Sequence, residues 1–85
     1  MRMALPNKPV TLTVEQITEL SQQLSKMRHD INNHLSLIVA AAELIRLNPE
    51  MLRKMANTLA DEPPKITEEV TRFSAEFDRA FGIVH

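Results

Sequence analysis

The feature that most constrains this chain is a stretch, Val14 to Leu47, that contains neither glycine nor proline. It permits one uninterrupted helix of about 50 Å, at 1.5 Å per residue. Thr13 and Gln16 have the spacing of a capping box at its start, and Asn48, which precedes a proline, predicts its end. Because such a helix is longer than is usual in globular proteins, it favours a helical bundle or a coiled coil.

A second helix is predicted at about residues 50–81. Pro49 suits its first position, and apolar residues at helical spacing continue as far as Gly82, which predicts a helix stop. Pro63 and Pro64 each remove a backbone donor inside this segment, which predicts a kink or a break at that point. The predicted fold class is therefore all-α, with the two helices forming an antiparallel hairpin.

The hairpin accounts for almost the whole chain. At 85 residues the chain is one small domain at most. Residues 1–12, which contain two prolines, are predicted to form an extended arm, and residues 83–85 a short tail. Residues 13–82 are left as a single helical-hairpin domain, with helix 1 at about 14–47.

The first helix carries an apolar stripe that is too wide for one partner helix. Its seam alternates steps of three and four residues, and four further leucines widen the stripe. A stripe of this width is covered by two neighbouring helices, as in a four-helix bundle, so two helices per chain predict a twofold homodimer. The seam consists of Ile17, Leu20, Leu24, Met27, Ile31, His34, Ile38, Ala41 and Ile45, and the widening leucines are Leu35, Leu37, Leu44 and Leu47.

The composition narrows the functional classes. The formal net charge is −1 and there is no basic stripe, so nucleic acid is not an expected partner. Cysteine is absent and Gly82 is the single glycine, which excludes thiolate catalysis and any ATP-binding loop built from several glycines. No apolar run reaches the roughly 20 residues that span a bilayer, and the N-terminus lacks a signal-peptide core. The expected location is the cytoplasm, without a membrane partner.

Polar residues are concentrated within the first helix, in the stretch "KMRHDINNHLSLI". When Ile31 is placed at heptad position a, His29 falls at f, farthest from the core, and Asn33 lies one turn on. Asp30 falls at g, beside them. A simple solvated face explains many such residues. A zinc site is disfavoured because His29 and His34 point to different faces and lack a third ligand, while His34, at d, is expected to pack in the core.

The same outer face also has what a phosphoryl acceptor requires. An exposed, neutral imidazole is a competent nucleophile towards a phosphoryl group. The Asp30 carboxylate can bind one ring nitrogen of His29 and leave the other free to attack, and the Asn33 amide can orient a phosphoryl oxygen or a water molecule. His29, Asp30 and Asn33 are therefore the candidate catalytic residues, and neither a cofactor nor a metal is expected.

The stretch "MRHDINNHLSLIVAAAEL" resembles the H-box helix of the dimerisation and histidine-phosphotransfer domain of two-component sensor histidine kinases, in the versions that read His-Asp-x-x-Asn-x-Leu. It is similar also to the sporulation-type phosphotransferases. The resemblance covers residues 13–81 by helix layout and residues 28–37 by motif. It implies a dimeric four-helix bundle in which His29 accepts the phosphoryl group, Asp30 assists as a base and Asn33 helps dephosphorylation. The implied partner is a response-regulator receiver domain, and a separate kinase ATP-binding domain is a second candidate.

Two departures from these families leave alternatives open. The proline that commonly follows the H-box histidine is absent, and no ATP-binding domain follows the hairpin. The expected function is a histidine phosphotransfer module that exchanges a phosphoryl group between His29 and an aspartate of a receiver. The alternatives are a non-catalytic dimeric adaptor or inhibitor of a receiver or kinase domain, a fragment of a larger sensor histidine kinase, and a structural hairpin from an unrelated assembly. Enzymatic activity is thus an open question at this stage.

Overall fold

Two long helices make up the computed structural model, which describes residues 8–82. Helix α1 spans Val14–Leu47 and helix α2 spans Leu52–Phe81, and a short 3-10 helix, Pro49–Met51, turns the chain between them. No strand occurs within residues 8–82, so the predicted all-α architecture is confirmed. The predicted tail and the first seven residues of the predicted arm lie outside the described residues.

The helix ends follow the local sequence signals. The Thr13 hydroxyl accepts a hydrogen bond from the Gln16 backbone N–H at 3.0 Å, and the Gln16 side-chain oxygen accepts one from the Thr13 N–H at 2.8 Å. At the turn, the Asn48 side chain accepts a hydrogen bond from the Glu50 N–H at 3.2 Å. Gly82 ends α2 in the left-handed conformation, with φ 66°, which favours a residue without a Cβ. The capping box and the glycine stop are therefore confirmed.

Helix α2 continues through Pro63 and Pro64, so the predicted alternative of a helix break at this point is wrong. The other alternative, a kink, stays a prediction. Neither proline has an N–H, so the carbonyls of Leu59 and Ala60 receive no helical hydrogen bond from them. An interior proline costs about 3 kcal/mol relative to alanine. The turn is held instead by a contact with α1, which the preceding residue, Glu62, provides.

The predicted seam faces α2 along most of α1. Ala41 is the most buried of its residues, with 2% of its surface exposed. Ile17 is an exception at 51% exposure, so it does not pack on α2 within one hairpin. The reason is geometric, because a straight α-helix drifts by about 20° per heptad and Ile17 lies two heptads before Ile31. On α2, Leu52 is 56% exposed at the first position of the helix.

The hairpin is a single layer of helices. Its principal extents are 56 × 24 × 13 Å, and the smallest is close to the diameter of one helix, about 10–12 Å with side chains. Consequently Ala41 is the one hydrophobic residue among those described that is buried. Apolar side chains on the flanks of both helices lie open, since no second layer covers them.

His34 and Glu62 form the polar contact between the helices. His34 Nδ1 lies 2.6 Å from Glu62 Oε2, and the two side chains are 21% and 9% exposed. The Lys65 ammonium approaches the other carboxylate oxygen at 3.5 Å. A buried carboxylate is stable only when it is paired and hydrogen-bonded, so this contact favours one register of α2 against α1. The predicted inward position of His34 is confirmed.

Replacing Glu62 by alanine is expected to lower the free energy of unfolding by about 1–2 kcal/mol, because His34 then loses a charge-assisted hydrogen bond in a poorly solvated place. Urea unfolding at one fixed protein concentration measures this. Glu68→Ala, an exposed glutamate on the same helix, is the control and is expected to change stability by less than about 0.5 kcal/mol. Equal effects of the two substitutions would contradict a stabilising role for the cross-helix bond.

Candidate functional site

His29 lies on the outer surface of α1, on the side away from α2. It is exposed, and so is Asn33, one helical turn further on. The Asn33 amide nitrogen lies 3.4 Å from His29 Nε2, which is long for a hydrogen bond. When the ring proton is on Nδ1, Nε2 accepts this contact from the amide. The two residues are therefore adjacent on the protein surface, as their spacing predicts.

Asp30 is oriented differently from the sequence-based expectation. Its carboxylate is bound by the ammonium group of Lys26, with Nζ to Oδ2 at 2.7 Å, rather than by the ring of His29. The hydrogen bond from Lys26 holds the pKa of Asp30 below its ordinary value, and His29 acts in the same direction more weakly. The same hydrogen bond raises the pKa of Lys26. The charged forms of both side chains are thus stabilised at neutral pH.

Lys26 also stands at the edge of a groove between the two helices. The negative charge of Glu69, on α2, adds to the rise in the pKa of Lys26, whereas Arg72 opposes it. Arg72 in turn donates to Glu69 at 3.2 Å. The groove therefore brings a second carboxylate close to the ammonium group that binds Asp30. Its lining consists of Gln23, Lys26, Met27, Glu69, Arg72, Phe73 and Glu76.

Of the three predicted site residues, His29 and Asn33 lie next to each other in the structure. Asp30 is instead paired with Lys26, one helical turn earlier. Chemically, the arrangement offers an accessible imidazole and a neighbouring amide on a rigid helix, with a carboxylate that is close in sequence but already bound. An exposed ring nitrogen is accessible to a large phosphoryl donor such as another protein domain. It is poorly suited to reactions that need a water-free pocket.

Sequence reasoning missed Lys26 and Glu62. Lys26 lies four residues before Asp30, and opposite charges at that spacing are neighbours on a helix, so the signal was present. Glu62 lies three residues after Leu59 and four before Ile66, which is the spacing of the inner face of α2. That position, occupied by a carboxylate opposite the histidine of the seam, predicts a cross-helix pair.

The described residues do not suggest other kinds of site. Within residues 8–82, no three histidine or acidic side chains lie close enough together to hold a metal ion. Neither helix in that range is long and apolar enough to cross a membrane. Comparison with known proteins adds no assignment, since no family model, curated protein or solved structure matches the chain.

Proposed function

We propose that this protein is a cytoplasmic histidine phosphotransfer module of a two-component phosphorelay. His29 accepts a phosphoryl group and exchanges it with an aspartate of a response-regulator receiver domain. The observation that carries the proposal is the exposed His29 ring on the outer face of a long helix, with its Nε2 beside the Asn33 amide at 3.4 Å. In this position a second protein domain can bring its phosphoryl group in line with the ring nitrogen.

A homodimer is the second part of the proposal, and its support is the open flank of α1. Ile17 and Leu35 are 51% and 45% exposed, and Val39 is 60% exposed. The spacing between Ile17 and Leu35 equals five helical turns at 3.6 residues each, and Val39 follows one turn later, so the three side chains lie along one line. A second copy of the hairpin packed on this line completes a four-helix bundle and removes an apolar stripe from water.

The opposite flank of α1 supports the choice of partner. Leu37 and Leu44 are 49% and 43% exposed, and Leu37 lies one turn after Asn33 on the same face. An apolar strip therefore continues from the candidate site along α1, away from the proposed dimer face. We propose that this strip binds the receiver domain while its aspartate faces His29.

A dimeric adaptor is the second candidate function, and the same exposed leucines favour it because they can bind a receiver or a kinase domain without any chemistry. In an adaptor, substitution of His29 would leave binding to the partner domain intact. Substitution of His29 therefore separates the two functions.

A single negative charge should disrupt the dimer when it is placed on the flank that carries Val39, but not when it is placed on the flank that carries Leu44. Val39→Glu is expected to yield a monomer, because it places a carboxylate within the apolar line of the proposed interface. Leu44→Glu is the matched control on the opposite flank and should remain a dimer. Light scattering on a size-exclusion column should give twice the chain mass of 9.7 kDa for the native protein and for Leu44→Glu. A native monomer would refute the four-helix bundle.

His29→Gln should abolish phosphorylation while leaving the helical circular-dichroism spectrum unchanged, because an exposed position contributes little to stability. Receiver domains encoded in the same genome, charged with radiolabelled acetyl phosphate, are mixed with the protein. The label is expected to transfer to the native chain as an acid-labile, base-stable phosphate. His34→Gln is the control for site choice and should keep the label. Labelling that survives in His29→Gln would exclude His29 as the acceptor, and binding without labelling would favour the adaptor.

Asn33 and Asp30 should affect different reactions. Asn33→Ala is expected to leave phosphorylation of His29 nearly intact and to slow the loss of phosphate from the receiver, because hydrolysis requires a water held in line. Asp30→Asn should instead slow phosphorylation of His29, since it removes the charge that balances the ring during attack. Both reactions are timed with one receiver. Equal, small effects of the two substitutions would indicate a solvated surface without chemistry.

A further inference from the structure

Lys26 binds the Asp30 carboxylate, which is the group that the proposed reaction at His29 would use. Its ammonium nitrogen lies 2.7 Å from Asp30 Oδ2, and Asp30 directly follows His29 in the chain. The carboxylate already interacts electrostatically with the His29 ring, but its hydrogen bond goes to the lysine. The exposed His29 Nε2, in turn, lies 3.4 Å from the Asn33 amide nitrogen. In this arrangement the Asp30 carboxylate is engaged by Lys26, while the attacking nitrogen stays accessible.

We propose that Lys26 is a positioning residue that holds Asp30 away from the His29 ring, and that movement of Lys26 towards Glu69 makes His29 reactive. The inference rests on the phosphotransfer function proposed above. In this proposal, the groove between the helices helps to control the reaction on the outer face of α1.

Glu69 makes this movement possible. It stands on α2 across the groove, where its charge already acts on Lys26, and both residues line the groove. A lysine side chain is long and flexible, and its ammonium group can donate a hydrogen bond to either carboxylate without a fixed geometry. Arg72 binds Glu69 at 3.2 Å, so Glu69 keeps a cationic partner in both arrangements. The competition is therefore between the observed pair of Lys26 with Asp30 and a pair of Lys26 with Glu69 across the groove.

The freed carboxylate acts on the charge that forms during transfer. Nε2 of the neutral His29 ring forms a bond to phosphorus while the bond between phosphorus and the leaving group of the donor breaks. From phosphoramidate the leaving group is ammonia, and from a phosphorylated receiver it is the aspartate carboxylate. The phosphorylated ring, with its proton on Nδ1, is then cationic. Asp30 stabilises this cation by accepting the Nδ1–H hydrogen bond, which also favours the reactive tautomer beforehand.

The test uses phosphoramidate as the donor, so that no partner protein is required. Lys26→Met removes the ammonium group and keeps much of the side-chain length, and it should increase the rate of His29 labelling about three- to tenfold. Lys26→Arg restores a cation for Asp30 and should return the rate to the native value. Lys54→Met, on α2, is the charge-matched control and should have no effect. Intact-mass spectrometry follows labelling, and His29→Gln in the Lys26→Met background confirms the site.

A spectroscopic measurement distinguishes a positioning role of Lys26 from a purely structural one. In nitrogen NMR spectra, Lys26→Met should increase the share of the Nδ1–H tautomer of neutral His29, and the Asp30 carboxyl group should titrate at higher pH because its main hydrogen bond is lost. The other ionisable groups around Asp30 and Lys26 (His29 and His34 on α1, Glu69 and Arg72 on α2) are unchanged in this variant. Lys26→Arg should leave both signals near those of the native protein.

The outcomes distinguish this inference from the proposed function. A native or reduced labelling rate in Lys26→Met, with an unaltered His29 tautomer, would overturn the positioning role. A reduced rate alone would mean that Lys26 attracts the phosphoryl donor directly, which also overturns it. If receiver domains exchange no phosphate with any variant, the proposed function fails, while the phosphoramidate rates and the tautomer still decide the role of Lys26.

Discussion

The hydrogen bond between His34 and Glu62 is the constraint on which the arrangement of the two helices depends. Apolar contacts in a single layer are permissive, because neighbouring leucines, isoleucines and methionines can exchange places with little loss. A mostly buried carboxylate has no such freedom and must meet its partner at 2.6 Å. The bond also lies beside Pro63 and Pro64, where α2 lacks two of its own hydrogen bonds. One contact thus sets the register and supports the weakest turn of the second helix.

Once the register is set, α1 presents three distinct surfaces. The inner seam, centred on Ala41, packs on α2. The flank that carries Leu35 and Val39 is apolar and open, and the opposite flank joins Leu37 to Asn33 and His29. A helix in a thicker domain would have most of this circumference buried. The thinness of the hairpin, 13 Å, is what leaves two flanks open for the proposed second copy and the proposed partner.

The chemistry proposed for His29 would depend on interactions that are weaker and more local than the cross-helix bond. Lys26, Asp30 and Asn33 are all within one turn of His29 and lie at the protein surface. Exposed ion pairs and a 3.4 Å amide contact are weak, so they can be exchanged by an approaching charged group. A rigid backbone combined with replaceable side-chain contacts suits a group that must react with a large partner and then release it. Lys26 and Glu69 line the same groove, which is the route by which we propose that α2 influences the site without touching the imidazole.

The sequence by itself determined the two helices, their caps and the outer position of His29, because these depend on local spacing and on the absence of glycine and proline from Val14 to Leu47. The spacing of His29 and Asn33 was equally local. The pairing of Asp30 with Lys26 was not predicted, since several neighbours compete for a surface carboxylate and spacing alone does not rank them. The exposure of Ile17 follows from helical drift over two heptads. Only the tertiary structure decided that α2 stays helical through Pro63 and Pro64, because Glu62 is held there by a residue of the other helix.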